Sequence, residues 1–381
     1  MGVEPIGGRR CVIGRGAFRL WTRAAKCARL LGIHLHTEIA LRTRLFKQIL
    51  TAAIAAGGVV VFTMLALPLP WLLGPIFACL LAALLRAPLE RAERLSEGMR
   101  TILGVAVGAS ITPAVFGRLG DMALSLALIP IFILLIGAVG YPYFRRLWRF
   151  DKATSFYAAM PGGFQDMVIF GEEAGANVRA LSLIHATRVL VIVSALPFLF
   201  TLSFGLDLTL PPGAPASELP WREGALMIAL ALVGWLGGKA IGLFGASILG
   251  PLILTAAASL AGLIHYRPPA EAILVAQYFI GLSVGAKYAG VTVEELARVV
   301  ASAFGFTLIL VVLAAGFMEI VFLGALAPPV EAILAFSPGG QAEMAVLAIM
   351  AGADLAYVVT HHLARIMIVI IGAPLAMRLL K

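Results

Sequence analysis

The sequence predicts an all-α, polytopic integral membrane protein of about 10 transmembrane helices, arranged as two inverted five-helix repeats, each carrying a broken or re-entrant Pro-Gly-Gly segment. Three observations predict it. Of 381 residues, 61% are hydrophobic and 13% charged, against roughly half and a quarter in soluble domains. Long stretches carry no Asp, Glu, Lys or Arg: Thr51–Leu85, Met122–Phe144, Val189–Leu206 and Ala240–Tyr266, all close to or above the roughly 20 residues a helix needs to cross hydrocarbon. Finally, one half of the chain recurs in the other, with the interruption at the matching place. A mean hydropathy of +0.99 agrees, because so apolar a surface is stable where lipid is the solvent.

The first element is residues 1–47. It holds ten basic side chains (Arg9, Arg10, Arg15, Arg19, Arg23, Lys26, Arg29, Arg42, Arg44 and Lys47) and two acids (Glu4 and Glu38), so 10 − 2 = 8 of the nine excess charges sit there. The net charge therefore marks a basic tail beside a first span, the usual sign of a cytoplasmic end, rather than a nucleic-acid surface. Such a tail also touches anionic headgroups. Arg15, Arg19, Arg23, Lys26 and Arg29 fall at helical spacing with Phe18 and Trp21 on another face. The tail is thus either a short interfacial helix or a poorly ordered extension. It has no apolar core of signal-peptide type. Cys11, Cys27 and Cys79 show neither metal-ligand nor disulfide spacing.

Repeat 1, residues 48–204, reads as helices near 48–67, 71–86, 97–117, 121–145 and 177–204. A Pro-rich external linker, 205–222, leads to repeat 2, residues 223–381, with helices near 223–243, 247–265, 270–288, 293–326 and 354–379. Segments 152–173 and 329–350 are too short and broken to be plain spans. They expose the repeat: Ala159–Met167 reads AMPGGFQDM and Phe336–Met344 reads FSPGGQAEM, offset by 339 − 162 = 177. The same offset carries Gly175-Ala176 onto Gly352-Ala353, His185 onto His362, Arg188 onto Arg365, Pro197 onto Pro374, Gly104 onto Gly281 and Gly108-Ala109 onto Gly285-Ala286. One residue of slip matches Leu73-Gly74-Pro75 to Leu249-Gly250-Pro251. Charge placement orients the halves. With the tail inside, Arg86, Arg91, Arg94 and Arg100 fall inside, as do Arg145, Arg146, Arg149 and Lys152. If the Pro-Gly-Gly segments dip in and return, the linker with Asp207 and Glu218 is external, Arg378 and Lys381 are internal, and the repeats are inverted. A fully spanning break would instead make them parallel.

Matching interruptions in inverted repeats point to a transporter site. A Pro-Gly-Gly break frees backbone N–H and C=O groups at membrane depth, where each unsatisfied group costs several kcal/mol. Glycine admits close approach, and the half-helix after the break aims its positive dipole end at the gap. The candidate substrate- or ion-binding residues are Pro161, Gly162, Gly163, Gln165 and Asp166 at the first break, with His185 and Arg188 on the next helix. At the second they are Pro338, Gly339, Gly340, Gln341 and Glu343, with His362 and Arg365. The plain alternative is that Pro and Gly only let helices pack closely. Asp166 and Glu343 are either caps on their own helices or groups coupling a cation or proton. Each Arg either pairs with one of those carboxylates or binds an anionic substrate. His361, opposite Ile184 in the first repeat, reads as packing or interface, and Glu319, Lys287 and Lys239 as snorkelling charges. No catalytic constellation, phosphate loop or metal spacing is found, so the chain reads as a non-enzyme with no cofactor and no metal.

At the duplicated Pro-Gly-Gly (Pro161–Gly163 and Pro338–Gly340), the Gly-Ala pairs and the His-x-x-Arg helices, the chain from about residue 48 resembles the bacterial AbrB (AbrB duplication) membrane family. Members are labelled AbrB family transcriptional regulators or ammonia monooxygenases, yet neither a DNA-binding domain nor clustered oxygenase ligands is present in the sequence. The family is similar in plan to the cation–proton antiporter and anion transporter superfamily, a fold-level analogy. The resemblance implies a multi-pass protein of the bacterial inner (plasma) membrane with both termini cytoplasmic. The expectation is an ion-gradient-driven carrier of a small solute, anionic in one version, working by alternating access. Its partners would be that small molecule or ion and membrane lipid, with no nucleic acid and with a homodimer left open. A membrane sensor acting indirectly on gene expression is the alternative, and a membrane-embedded monooxygenase is disfavoured.

Overall fold

The structure is a computed structural model and describes residues 43–90, 93–113 and 120–379. The chain divides into two compact units, Met1–Ile49 and Leu50–Lys381. Of the first, residues 43–49 are described, as the start of helix α1 (Thr43–Met64). The remainder of the basic tail with its interfacial-helix alternative, Cys11, Cys27, Arg91 and Lys381 lie outside the described residues. All other described residues belong to the second unit.

Helices succeed one another, with no strand among the described residues. The first half continues with α2 (Pro70–Leu84), α3 (Glu93–Ser110), α4 (Ala123–Leu147, its last turn widened from Tyr143), α5 (Lys152–Ala159), α6 (Phe164–Glu173) and α7 (Val178–Phe204). The second half repeats the series: α8 (Trp221–Ala240), α9 (Ala246–Leu260), α10 (Ala270–Gly285), α11 (Val293–Leu323), α12 (Pro329–Phe336), α13 (Gln341–Met350) and α14 (Leu355–Leu379). Six of these (α1, α4, α7, α8, α11 and α14) are long and apolar enough to cross a membrane. The other four expected spans are shorter or more polar. Helices α2 and α9 have 15 residues each and α10 has 16, while α3 opens with Glu93, Arg94, Glu97 and Arg100. Segments 152–173 and 329–350 are each two half-helices, as the Pro-Gly-Gly breaks require.

The helices sort into two packed sets. Helices α2, α3, α8, α9 and α10 pack chiefly on one another, and so do α4–α7 with α11–α14; Gly58 of α1 lies against Gly74 of α2, adding α1 to the first set. In both sets the halves interlock by exchanging equivalent contacts. Helix α3 crosses α9 and α10 crosses α2; α4 packs on α14 and α11 on α7. Glycine permits the closest crossings. A Cβ on Gly74 would lie 2.6 Å from the carbonyl carbon of Gly58, and one on Gly234 would lie 2.5 Å from that of Gly250. Likewise a Cβ on Gly108 would meet the Leu252 carbonyl at 2.6 Å and one on Gly285 the Ile76 carbonyl at 2.5 Å. These neighbours are backbone and cannot swing aside. Where helices do not pack, large apolar side chains such as Leu134, Leu202 and Val312 face outward, as lipid contact allows.

Half-helix α6 ends through Gly175 and α13 through Gly352, at φ +80 and +65, a left-handed turn that glycine adopts without strain. Asn177 and Asp354 then cap α7 and α14: Ala180 N donates to Asn177 Oδ1 at 2.9 Å, and Tyr357 N donates to Asp354 Oδ1 at 3.1 Å. A left-handed glycine and a side-chain cap thus follow each break.

If backbone contact sets these crossings, Gly74→Ala lowers stability by about 2 kcal/mol or more through overpacking. Gly57→Ala, whose Cβ would meet nothing within 4 Å, leaves it unchanged. Thermal unfolding of detergent-purified protein checks both.

Candidate functional site

Each break is organised by the long helix next in the chain. Half-helix α5 stops at Met160 and α12 at Ser337, both with extended backbone. Their last carbonyls consequently lack helical partners. On α7, Arg188 donates Nη1–H to the Met160 carbonyl (3.2 Å) and Nη2–H to the Gly162 carbonyl (3.4 Å). On α14, Arg365 donates Nη1–H to Ser337 (2.8 Å) and Nη2–H to Gly339 (3.1 Å). Both arginines are buried, at 4% and 3% exposure. Sequence reasoning offered them a carboxylate partner or a substrate. Among the described residues neither pairs with a carboxylate, and the freed main-chain carbonyls take that place. The Nε atom of each remains without a partner.

The carboxylates lie in the first turns of their own helices. A Cβ on Gly163 would run into the Asp166 carboxylate, and one on Gly340 into that of Glu343, so each glycine makes room for an acid folded back onto the positive helix end. Asp166 is half-buried and Glu343 buried. Gly162 and Gly339 are covered by methionines: their Cβ positions lie 2.7 Å from Met167 Cε and 2.6 Å from Met344 Cε. Gly162 also meets Val369 of α14 at 2.9 Å, which places the first break against the helix that organises the second. The structure therefore brings the two breaks together around α7 and α14, while filling the close-approach space beside the glycines with the chain's own side chains. Pro161 and Pro338 sit in the breaks where helical N–H donors are dispensable. Gln165 follows in the first turn of α6; Gln341 opens α13, its buried amide nitrogen unpartnered.

The histidines differ. Arg365 Nη2 donates to His362 Nδ1 (2.9 Å), so His362 carries its proton on Nε2 and donates it to the Leu334 carbonyl (2.9 Å). His185, wholly buried, has both ring nitrogens unpartnered. The Tyr157 carbonyl, counterpart of Leu334, lies beside the ring without a formed hydrogen bond. His361 joins α14 to α4: its Nδ1 donates to the Tyr357 carbonyl (2.8 Å), and Nε2 meets Ser125 Oγ (2.9 Å).

Of the charges read as snorkelling, Glu319 is exposed on α11. Lys239 instead pairs with Glu97 of α3 (2.9 Å), and the Lys287 ammonium lies over the Phe164 ring, 3.9 Å from its centre, at the start of α6. Next to it, Tyr288 donates its hydroxyl proton to Thr187 Oγ1 (2.8 Å). Sequence reasoning does not single out these two residues as part of the site. The available signal was that Lys287 follows the repeated Gly285-Ala286 pair where the first half has Ser110.

Compared with known proteins, residues 71–381 match the family described as transition state regulatory protein AbrB. Protein YhjN of Bacillus subtilis (strain 168) is 29% identical over 372 residues, covering 88% of this chain and 94% of that protein. A protein named as a regulator, AbrB, of Escherichia coli (strain K12) is 24% identical over 333 residues, covering 84% and 92%. No solved structure matches.

Since a hydrogen bond to a charged group contributes about 2 kcal/mol, Arg365→Gln should cost several kcal/mol. Arg188→Gln, losing longer bonds, should cost about half as much. Thermal unfolding of the two purified variants gives the ranking; equal losses would contradict it.

Proposed function

The chain belongs to the AbrB family, and from that premise we propose that it is a secondary carrier, driven by an ion gradient, that moves a small anionic solute by alternating access. The observation that carries this reading is the meeting of two helix breaks, each held by a buried arginine without a carboxylate partner, beside the seam between two helix sets. Removing a cation from water is costly unless it is compensated. Arg188 is held by carbonyls and Arg365 by carbonyls and the His362 ring, and the unpartnered Nε–H of each guanidinium is a donor suited to an anion. The sparse contacts between the sets run largely through α3 and α10 against α7, α13 and α14, so the helices beside the breaks are those that relative motion would rearrange.

Ten spans in inverted repeats are part of the proposal. Ser96 Oγ of α3 donates to the Phe279 carbonyl of α10 at 3.0 Å. These are equivalent helices, and the counterpart of Ser96 is 96 + 177 = 273. A parallel two-fold would set Ser96 near 273, and six residues of helix is about 9 Å. The observed contact fits antiparallel helices, which supports repeats of opposite orientation. The polar start of α3, with Glu97 paired to Lys239, fits a span shielded by its own helix set. The inner-membrane location with both termini cytoplasmic rests on arginine placement. Neither an enzymatic step nor a nucleic-acid partner is part of this reading.

A second reading, a membrane sensor that alters gene expression indirectly, is favoured by the regulator name of the Escherichia coli relative. Flux separates the two. Proteoliposomes holding the purified chain should take up a small carboxylate when a proton or sodium gradient is imposed. Gly162→Leu and Gly339→Leu, which drive a side chain into Met167 with Val369 and into Met344, should abolish uptake while the protein still inserts. A chain that alters transcription in cells yet moves none of a broad panel of anions would support the sensor and reject the carrier.

A further inference from the structure

Two matching halves should join the helix sets in the same way at both breaks, and at one place they do not. Beyond α10 the chain adds one tight turn, Ala286–Tyr288, which packs on α2 of its own set and reaches α7 of the other. Tyr288 and Thr187 of α7 are buried, at 1% and 2% exposure, and the tyrosine hydroxyl donates to Thr187 Oγ1 at 2.8 Å. Thr187 directly precedes Arg188, which holds the first break. One residue before Tyr288, the Lys287 ammonium lies 3.9 Å from the centre of the Phe164 ring, at the first residue of α6. That ring stands edge-on to His185, with 6.4 Å between centres. Two neighbouring side chains of one set thus grip α6 and α7 of the other.

None of the four residues is repeated. The offset of 177 carries Phe164 onto Gln341 and Thr187 onto Ala364; in reverse it carries Lys287 onto Ser110 and Tyr288 onto Ile111. Ile111 has no hydroxyl to donate, and Ala364 has none to accept. Ser110 turns onto its own helix, donating to the Val107 carbonyl at 2.6 Å. The end of α3 can therefore make neither contact at the second break. A buried hydrogen bond shifts an equilibrium by about three- to tenfold, and it favours only the conformation in which it forms.

We propose that Tyr288 and Lys287 form a one-sided latch between the helix sets, which tips the protein toward the present conformation and opens when the sets move. The latch rests on the carrier reading for its use, and on the unmatched residues for its one-sidedness. In the mirrored conformation, with the roles of the halves exchanged, Ser110 and Ile111 would face Gln341 and Ala364, and no equivalent bond replaces the one lost.

Nitroxide labels at outward-facing Val233 of α8 and Leu202 of α7, one on each set of the otherwise cysteine-free full chain in lipid bilayer, test this by pulsed electron spin resonance without added solute. Tyr288→Phe removes the donor and keeps the ring, while Thr187→Val removes the acceptor and keeps the shape. Each should lower the ratio of the population at the structure's distance to the other population by about three- to tenfold. The double variant should go no further than the larger single effect, as one shared bond requires. Tyr143→Phe loses a similar bond within the second set, from Tyr143 to the Ser302 carbonyl at 3.0 Å, and should leave the ratio unchanged. Two populations whose ratio neither latch variant moves, or which Tyr143→Phe moves as far, overturn the latch and leave the carrier reading intact. One population in the parent and in every variant overturns the latch together with the movement it restrains. One population in the parent that becomes two in Tyr288→Phe supports the latch.

Discussion

The rest of the structure depends on one constraint: main-chain carbonyls released inside a membrane must find donors. A Pro-Gly-Gly break releases them at Met160 and Gly162, and again at Ser337 and Gly339. In both halves the donor is a guanidinium one helix later, reaching back 28 and 26 residues. An arginine is suited to this because its fork offers several N–H groups at fixed angles and stays charged. The break requires the arginine, and the buried arginine requires the break, since carbonyls at the negative ends of α5 and α12 partly offset its charge. That mutual requirement explains the matching His-x-x-Arg and Pro-Gly-Gly in each half without appeal to a ligand. It also leaves the Nε–H of each arginine without a partner.

The remainder of the fold keeps these breaks together. Glycine-backbone crossings lock α1 to α2, α8 to α9, α3 to α9 and α10 to α2 into one set. The other set is tied by exchanged contacts between α4 and α14 and between α7 and α11. Because each half supplies part of both sets, neither half packs alone. In the proposed carrier, relative movement would therefore fall between the sets rather than between the halves, at a boundary that α13 meets through α3 and α10 and α6 through Phe164.

Much of this was legible in the sequence. Uncharged runs located the helices, since a charge at membrane depth is costly; the helix near 177–204 is found at Val178–Phe204, and the one near 354–379 at Leu355–Leu379. Segments 152–173 and 329–350 broke where Pro-Gly-Gly demanded. The 177-residue offset held down to single hydrogen bonds. What sequence could not provide was partner choice across space. Arg188 and Arg365 had carboxylates available at matching positions, and only three-dimensional placement shows that Asp166 and Glu343 turn back on their own helices. The glycines read as openings for a ligand hold a methionine or a carboxylate of the chain itself. Lys287 and Lys239 looked like interfacial charges because periodicity along one helix carries no information about which other helix lies opposite.

The central claim is that the two helix sets shift against each other across the seam where the arginine-held breaks meet. The most direct measurement is a pair of nitroxide labels in lipid bilayer, one at outward-facing Val233 of α8 and one at outward-facing Leu202 of α7, on a background lacking the native cysteines, with distances read by pulsed electron spin resonance. The account predicts two distance populations whose ratio shifts when a transported anion is added. A single narrow distance, unchanged by every anion that the protein binds, would contradict it.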